Sequence, residues 1–333
     1  MPILMPVQQR AIRLSVILGL LLGIVPLLHA EQVDVQPMDG KIRVEIGGEL
    51  FTEYIHADCE NPFLYPVHGP HGIGMTRNYP MRIVSGESGD HLHHTSIWFA
   101  HDGINGVDFW RSANPGHGRV VHQEISRAES GDGRGVIETT NHWVGPDGKV
   151  ECSDRRVLTF LDLDAGHAID WQITLRATEG EVRIKDTEEG TMGIRTHPNL
   201  RLENGDGVTT ANGQARNSEG VTGKAVWGKQ AEWIDYWGKI KSHTVGIALF
   251  NHPSNPRHPT WWHARPYGLF TANPFGRHDF GDGPPGSGNM TIPAGDEVIF
   301  RYRILFHEGD PDEACIEKEF TRFSKSAAAT GGE

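Results

Sequence analysis

Between residues 90 and 110 the chain reads DHLHHTSIWFAHDGINGVDFW. Four of the protein's 19 histidines fall in the first dozen of these residues, interleaved with Trp98, Phe99, Phe109 and Trp110 and with Asp90, Asp102 and Asp108. Imidazole titrates near neutral pH with little tuning, which suits it to proton transfer. Aromatic walls supply contact area while a few polar groups fix a ligand's orientation. The mixture predicts a ligand pocket. Acid–base chemistry on a sugar needs a proton donor and an acceptor on opposite sides of a ring carbon. The candidate catalytic residues are His93, His94 and His101 as proton carriers and Glu189 as carboxylate partner.

The ligand-binding candidates surround them. Arg77, Arg195 and Arg265 would bind hydroxyls or a carboxylate. Trp98, Trp110 and Trp262 would stack on sugar faces. Asn105, Asp108, His263 and Asn273 complete the expected set. A metal site is a second hypothesis: His91-x-His93 puts two imidazoles on one strand face, with His101, His263 or Asp102 as third ligand. The sequence has no H-E-x-x-H and no Cys/His ligand pattern, so no cofactor is assigned. A divalent metal on His91, His93 and His101 is the alternative. A third hypothesis is a non-catalytic glycan-binding module, with which nine tryptophans are compatible. The discriminator is whether titratable groups converge with the aromatics. No G-x-S-x-G, P-loop or G-x-G-x-x-G after a strand occurs.

The elements that position these residues read as strands. Ile42, Val44 and Ile46 alternate with charged residues before a Gly47-Gly48 turn; Ile169, Trp171, Ile173 and Leu175 repeat the period of two. Strands expected over 119–130, 135–144, 150–161 and 167–178 are joined by tight turns with no helical period between them, which indicates antiparallel sheets. An extended strand is expected over 91–100. Its alternation would put His91 and His93 on one face and His94 on the other, so the three would not share a site without a bulge. A second polar cluster runs from Asp186 through Arg195 and His197. A third, residues 251–276, has four prolines before Tyr267 and reads as an ordered loop. Asp310, Pro311, Asp312 and Glu313 open a C-terminal helix expected to reach about Lys325. The expectation is one all-β domain over 31–325, a large antiparallel β-sandwich with one C-terminal helix and a disordered tail over 326–333.

Composition sets further bounds. The net charge of −12 at pH 7, with no long basic run, excludes nucleic acid and an anionic membrane surface as partners. A small-molecule or glycan ligand is the expected partner. Arg10 and Arg13 precede an apolar run over 14–28 and a small residue at Ala30, the pattern of a cleaved secretory signal over 1–30. The run is shorter than a spanning helix needs. The expected location is therefore secreted or periplasmic, without stable membrane insertion after cleavage; an uncleaved N-terminal anchor is the alternative. Export would permit a disulfide among Cys59, Cys152 and Cys315, although the odd count leaves at least one thiol unpaired; none sits in a C-x-x-C or beside a His, and they read as small buried hydrophobic residues.

The words DHLHHTSIWFAHDGINGVDFW, HPSNPRHPTWWHARPYGLFTANPFG and RILFHEGD resemble the secreted bacterial family known as PmoA-like, or methane oxygenase PmoA. The resemblance spans roughly residues 61–310 and transfers no catalytic residues; its name implies an oxygenase. A looser resemblance is to galactose-mutarotase-like supersandwich domains, which bind or process sugars. It rests on the order of features: an early Gly/Pro loop with Arg77, a histidine stretch, a Glu-Gly-Arg cluster, and a closing strand after Ile292-Pro-Ala-Gly.

Overall fold

The computed structural model describes residues 1–3 and 30–326. The expected signal segment, apart from its ends, and nearly all of the expected disordered tail lie outside the described residues. Two antiparallel sheets face each other. The larger runs through Gln230–Ala231, Thr260–Arg265, Leu269–Asn273, Gly190–Arg195, Ile97–Ile104, Phe63–Val67, Glu49–Ile55, Lys41–Ile46, Gln32–Met38 and Gly131–Asp132, with three short strands beside this path. The second runs through Gln214–Asn217, Trp233–Ile240, His243–Asn251, Glu297–Glu308, Gly166–Arg176, Val150–Leu163, Arg134–Val144 and Arg119–Glu129.

The period-two pattern explains the filling between them. Ile169, Trp171, Ile173 and Leu175 are buried, as are Ile42, Val44 and Ile46. Rings from opposite sheets meet edge to face, tilted or stacked: Phe51 with Phe160 and Phe306 and Phe99 with Trp143 edge to face, Phe99 with Phe300 tilted, and Tyr236 stacked on Phe270 at 4.6 Å. Each buried aromatic of this kind contributes about 1.5–3 kcal/mol by leaving water.

The two outer faces differ. Over the second sheet lies the helix Ile316–Ser324, whose Phe320 and Phe323 pack on Phe250. Nine residues are too few for a helix to persist alone, so this packing holds it. It begins later than expected. Asp310 Oδ1 accepts from the amides of Asp312 and Glu313 and caps a separate turn, and Cys315 at φ 53° breaks the chain before the helix proper. Of the cysteines, Cys152 is buried, Cys59 partly so, and Cys315 is exposed, so the buried-hydrophobe reading fails for Cys315. The outer face of the larger sheet carries its own buried cluster, Phe63, Trp98, Ala100, Trp110 and Leu269. The histidine stretch lies over it.

Candidate functional site

The expected strand over 91–100 forms only from Ile97 onward. His91 and Ser96 adopt left-handed backbone, φ 48° and 64°, which turns the preceding residues out of the pleat. The alternating-face expectation therefore fails, and the three imidazoles come together. Ring centroids of His91 and His94 are 4.6 Å apart and nearly parallel; His93 and His94 are 4.4 Å apart. His94 also stacks on Trp98 at 5.3 Å, and His91 on Tyr267 at 5.3 Å. Trp98 and Trp110, 5.0 Å apart, form the floor. Both are fully buried, and neither indole N–H finds an acceptor among the described residues, so the expectation that Trp98 and Trp110 present open faces for sugar stacking fails.

Two buried arginines hold this turn. Arg77 donates to the carbonyls of Tyr79 and His91, to Ser88 and to Asp90. Its guanidinium is saturated, so it braces the loop over 79–94 instead of reaching a ligand. Arg195, 1 % exposed, donates to Asp90 at 2.9 Å, to Ser88 and to His94 Nδ1, and lies 4.5 Å from the Tyr267 ring centroid. Asp90 gathers both arginines and His91 Nδ1. Burial alone would raise its pKa, but the His91 hydrogen bond and the two guanidinium charges hold it far below the usual carboxylate range. The ligand role expected of Arg77 and Arg195 gives way to a scaffolding one.

The groups reachable from solvent lie beside this scaffold. Arg111, one-third exposed, donates to Glu189 Oε1 at 2.8 Å and to Asp108 Oδ2 at 3.1 Å. Asp108 also accepts the amides of Trp110 and Arg111, so it positions the guanidinium. Burial raises the Glu189 carboxyl against the lowering charge of Arg111; Glu188 and Asp102 push it up further. Glu188 is raised by burial too, and accepts from Arg265 Nη2 at 2.8 Å. His93 is pushed down to about 4 by burial first and then by the charges of His91 and Arg111. The charge of Arg111 thus acts on both, lowering His93 and opposing the rise of Glu189. At neutral pH His93 is an uncharged imidazole, and Glu189 is the carboxyl drawn closer to neutrality.

Other expected site residues are placed elsewhere. His101 faces the sandwich interior, 5.0 Å from the Phe275 ring, with Nε2 on the Lys185 carbonyl. Burial pushes it down to about 4. Trp262 points inward with the main core and donates to the Ala231 carbonyl. Asn105 sits in a turn, bonded to Glu151 and to the Arg183 amide. Asn273 is spent on the Thr187 carbonyl and the amides of Phe275 and Gly276. His263 accepts from Arg265 Nε on Nε2 and bonds the Glu188 carbonyl through Nδ1, so both ring nitrogens are occupied. It positions Arg265 and Glu188. Sequence reasoning missed Arg111, Glu188, Tyr267 and the organising role of Asp90. Arg111 follows Trp110 directly, and the pair Glu188-Glu189 was visible as adjacent carboxylates.

Residues 41–321 match the model of a family described as "Family of unknown function (DUF6807)". The chain belongs to this family. No curated protein matches the DUF6807 chain. Its fold is similar to that of a galactose mutarotase-like protein from Lactobacillus casei ATCC 334, at 9 % identity and TM-score 0.35, covering 83 % of this chain and 100 % of that one. A glycoside hydrolase family 97 enzyme from Pseudoalteromonas sp. strain K8, in complex with panose, aligns at 9 % identity and TM-score 0.37, covering 91 % of this chain and 39 % of that one. The Slr1438 protein from Synechocystis sp. PCC 6803 aligns at 9 % identity and TM-score 0.28, covering 83 % and 96 %.

The metal alternative fares differently in the DUF6807 protein than the sequence suggests. His91, His93 and His101 do not converge, because His101 turns to the other side of its strand. No helix among the described residues is long and apolar enough to cross a membrane. A cavity of about 730 Å³ lies away from the histidine turn, lined by Phe51, His68, His71, Asp162 and His167 among others. It brings no raised carboxyl together with a tryptophan floor.

Proposed function

We propose that the outer face of the larger sheet binds a carbohydrate or sugar-derived small molecule, and that Glu189 and His93 carry acid–base chemistry on it, of the epimerase, lyase or hydrolase type. The observation that supports this reading is Arg111. It ties Glu189 to Asp108 directly after Trp110, whose ring centroid lies 6.4 Å from that of His93. Titratable groups therefore lie on the face that carries the accessible rings of His91 and Tyr267, which a plain binding module does not require. Glu189, with its raised pKa, serves as proton donor and acceptor. Neutral His93 is the complementary hydrogen-bond partner. Tyr267 and His91 offer stacking surface at the rim, and Arg265 with Glu188 offers partners for hydroxyls.

The test is a screen of mono- and oligosaccharides by NMR line broadening, followed by turnover assays on each binder. Glu189→Gln should keep binding and lose turnover. If no saccharide binds the wild type, the reading is wrong. The oxygenase implied by the PmoA-like resemblance is the rival outcome: one equivalent of iron or copper, lost in His93→Ala, with no sugar binding, would replace acid–base chemistry by redox chemistry. Residues 1–30 are proposed to direct export, which N-terminal sequencing of the mature protein tests.

A further inference from the structure

On the far ends of other strands, three side chains converge that the carbohydrate reading does not use. His71 lies in the turn Pro70–Gly72, His243 opens the strand His243–Asn251, and Glu308 closes the strand Glu297–Glu308. One ligand atom from each lies within 4.8 Å of the others. His71 Nε2 is 3.2 Å from Glu308 Oε1, and His243 Nδ1 is 3.9 Å from the same oxygen. The two imidazole rings stack at 3.8 Å. His71 takes up left-handed backbone, φ 61°, a conformation a histidine adopts at a cost.

We propose that His71, His243 and Glu308 form a binding site for a divalent transition-metal ion such as Zn²⁺. Two imidazoles and one carboxylate are the donor set borderline divalent ions prefer, and they suit magnesium or calcium poorly. Three protein ligands leave a position open to water, in keeping with the partial exposure of all three side chains. The ion would also tie a turn of the larger sheet to two strands of the second sheet. Ligand atoms on an ion at about 2.0–2.1 Å stand roughly 3–3.5 Å apart. The first pair is there already, whereas His243 must turn out of its stack on His71, because an imidazole coordinates an ion in its own ring plane.

The test uses the full chain stripped with chelator, titrated with Zn²⁺ alone by calorimetry and with Mg²⁺ as control. The wild type should bind one Zn²⁺ equivalent. His71→Asn keeps a residue that tolerates left-handed backbone, and His243→Gln keeps a polar side chain; each should weaken binding at least about tenfold, the lower bound for losing even a supporting partner. His93→Ala should bind as the wild type does. Circular dichroism of both variants verifies folding, and ¹H–¹⁵N spectra of the wild type should shift the His71 and His243 ring signals on adding Zn²⁺. Absence of Zn²⁺ binding by the wild type overturns the proposal, as does equal affinity in the two variants or loss of binding in His93→Ala.

Discussion

Arg195 Nη1 lies 3.3 Å from Nδ1 of His94. A guanidinium only donates, so this His94 nitrogen accepts, and the ring is neutral with its proton on Nε2. Burial and the charges of His93 and Arg195 push the His94 pKa well down, in agreement with that tautomer. The same guanidinium grips Asp90 with its other nitrogen. One residue therefore fixes both the carboxylate and the imidazole of the turn. Removing it leaves Asp90 short of a partner. Arg195→Met should cost about 3 kcal/mol of stability in urea unfolding. Arg195→Lys should recover less than half, because a point ammonium does not reach both partners in a fork. Full recovery by lysine would contradict the two-handed role.

Acid should destabilise the fold over a defined window. Burial lowers His93 and His101 to about 4 and His263 to about 3, and lowers His94 as well. Between roughly pH 6.5 and pH 4 the unfolded chain takes up protons that the folded chain refuses. Stability present above pH 6.5 is thus lost as pH falls, by about 1.4 kcal/mol per unit for each fully buried ring and less for His93. His307, raised by Asp235, and Glu188 and Glu189, raised by burial, act in the opposite sense and offset part of it. Melting temperature should fall steadily from pH 7 to pH 4.5. His101→Gln should flatten that slope while keeping a donor for the Lys185 carbonyl.

Catalysis, in the proposed function, rests on Glu189. Glu189→Gln should reduce turnover of the saccharide found by screening about 10²–10⁴-fold with little change in melting temperature. Arg111→Ala should raise the Glu189 pKa further, since it removes the lowering charge. The acidic limb of the pH–rate profile should then move toward neutral pH. An unchanged profile would remove Arg111 from the site.

Gly190 permits the inward position of His101. A Cβ at residue 190 would lie 2.1 Å from His101 Nδ1. Gly190→Ala should therefore cost about 1–3 kcal/mol through overpacking. Combining it with His101→Ala should cost less than the sum of the two single changes, as neighbours in contact are not additive. Additive losses in a double-mutant cycle would show that the two do not meet.

The sequence by itself determined the sheets. The alternation of Ile169, Trp171, Ile173 and Leu175 survives as burial because period two is a local property: once a strand forms, every second side chain faces the same side. It also pointed to the segments that meet, since Arg195 reaches His94 and Arg265 reaches Glu188. It did not determine which residues face the ligand. Arg77 looked like a binding group, and only the folded loop shows its five donors spent on backbone and Asp90. Trp262 and Trp98 look alike as letters, yet one faces the sandwich and the other the outer floor. The histidines share a cluster because His91 and Ser96 adopt left-handed backbone, in a turn that Arg77 and Arg195 clamp. Backbone sign and strand facing at such points are decided by partners a hundred residues away, and no local pattern carries that information.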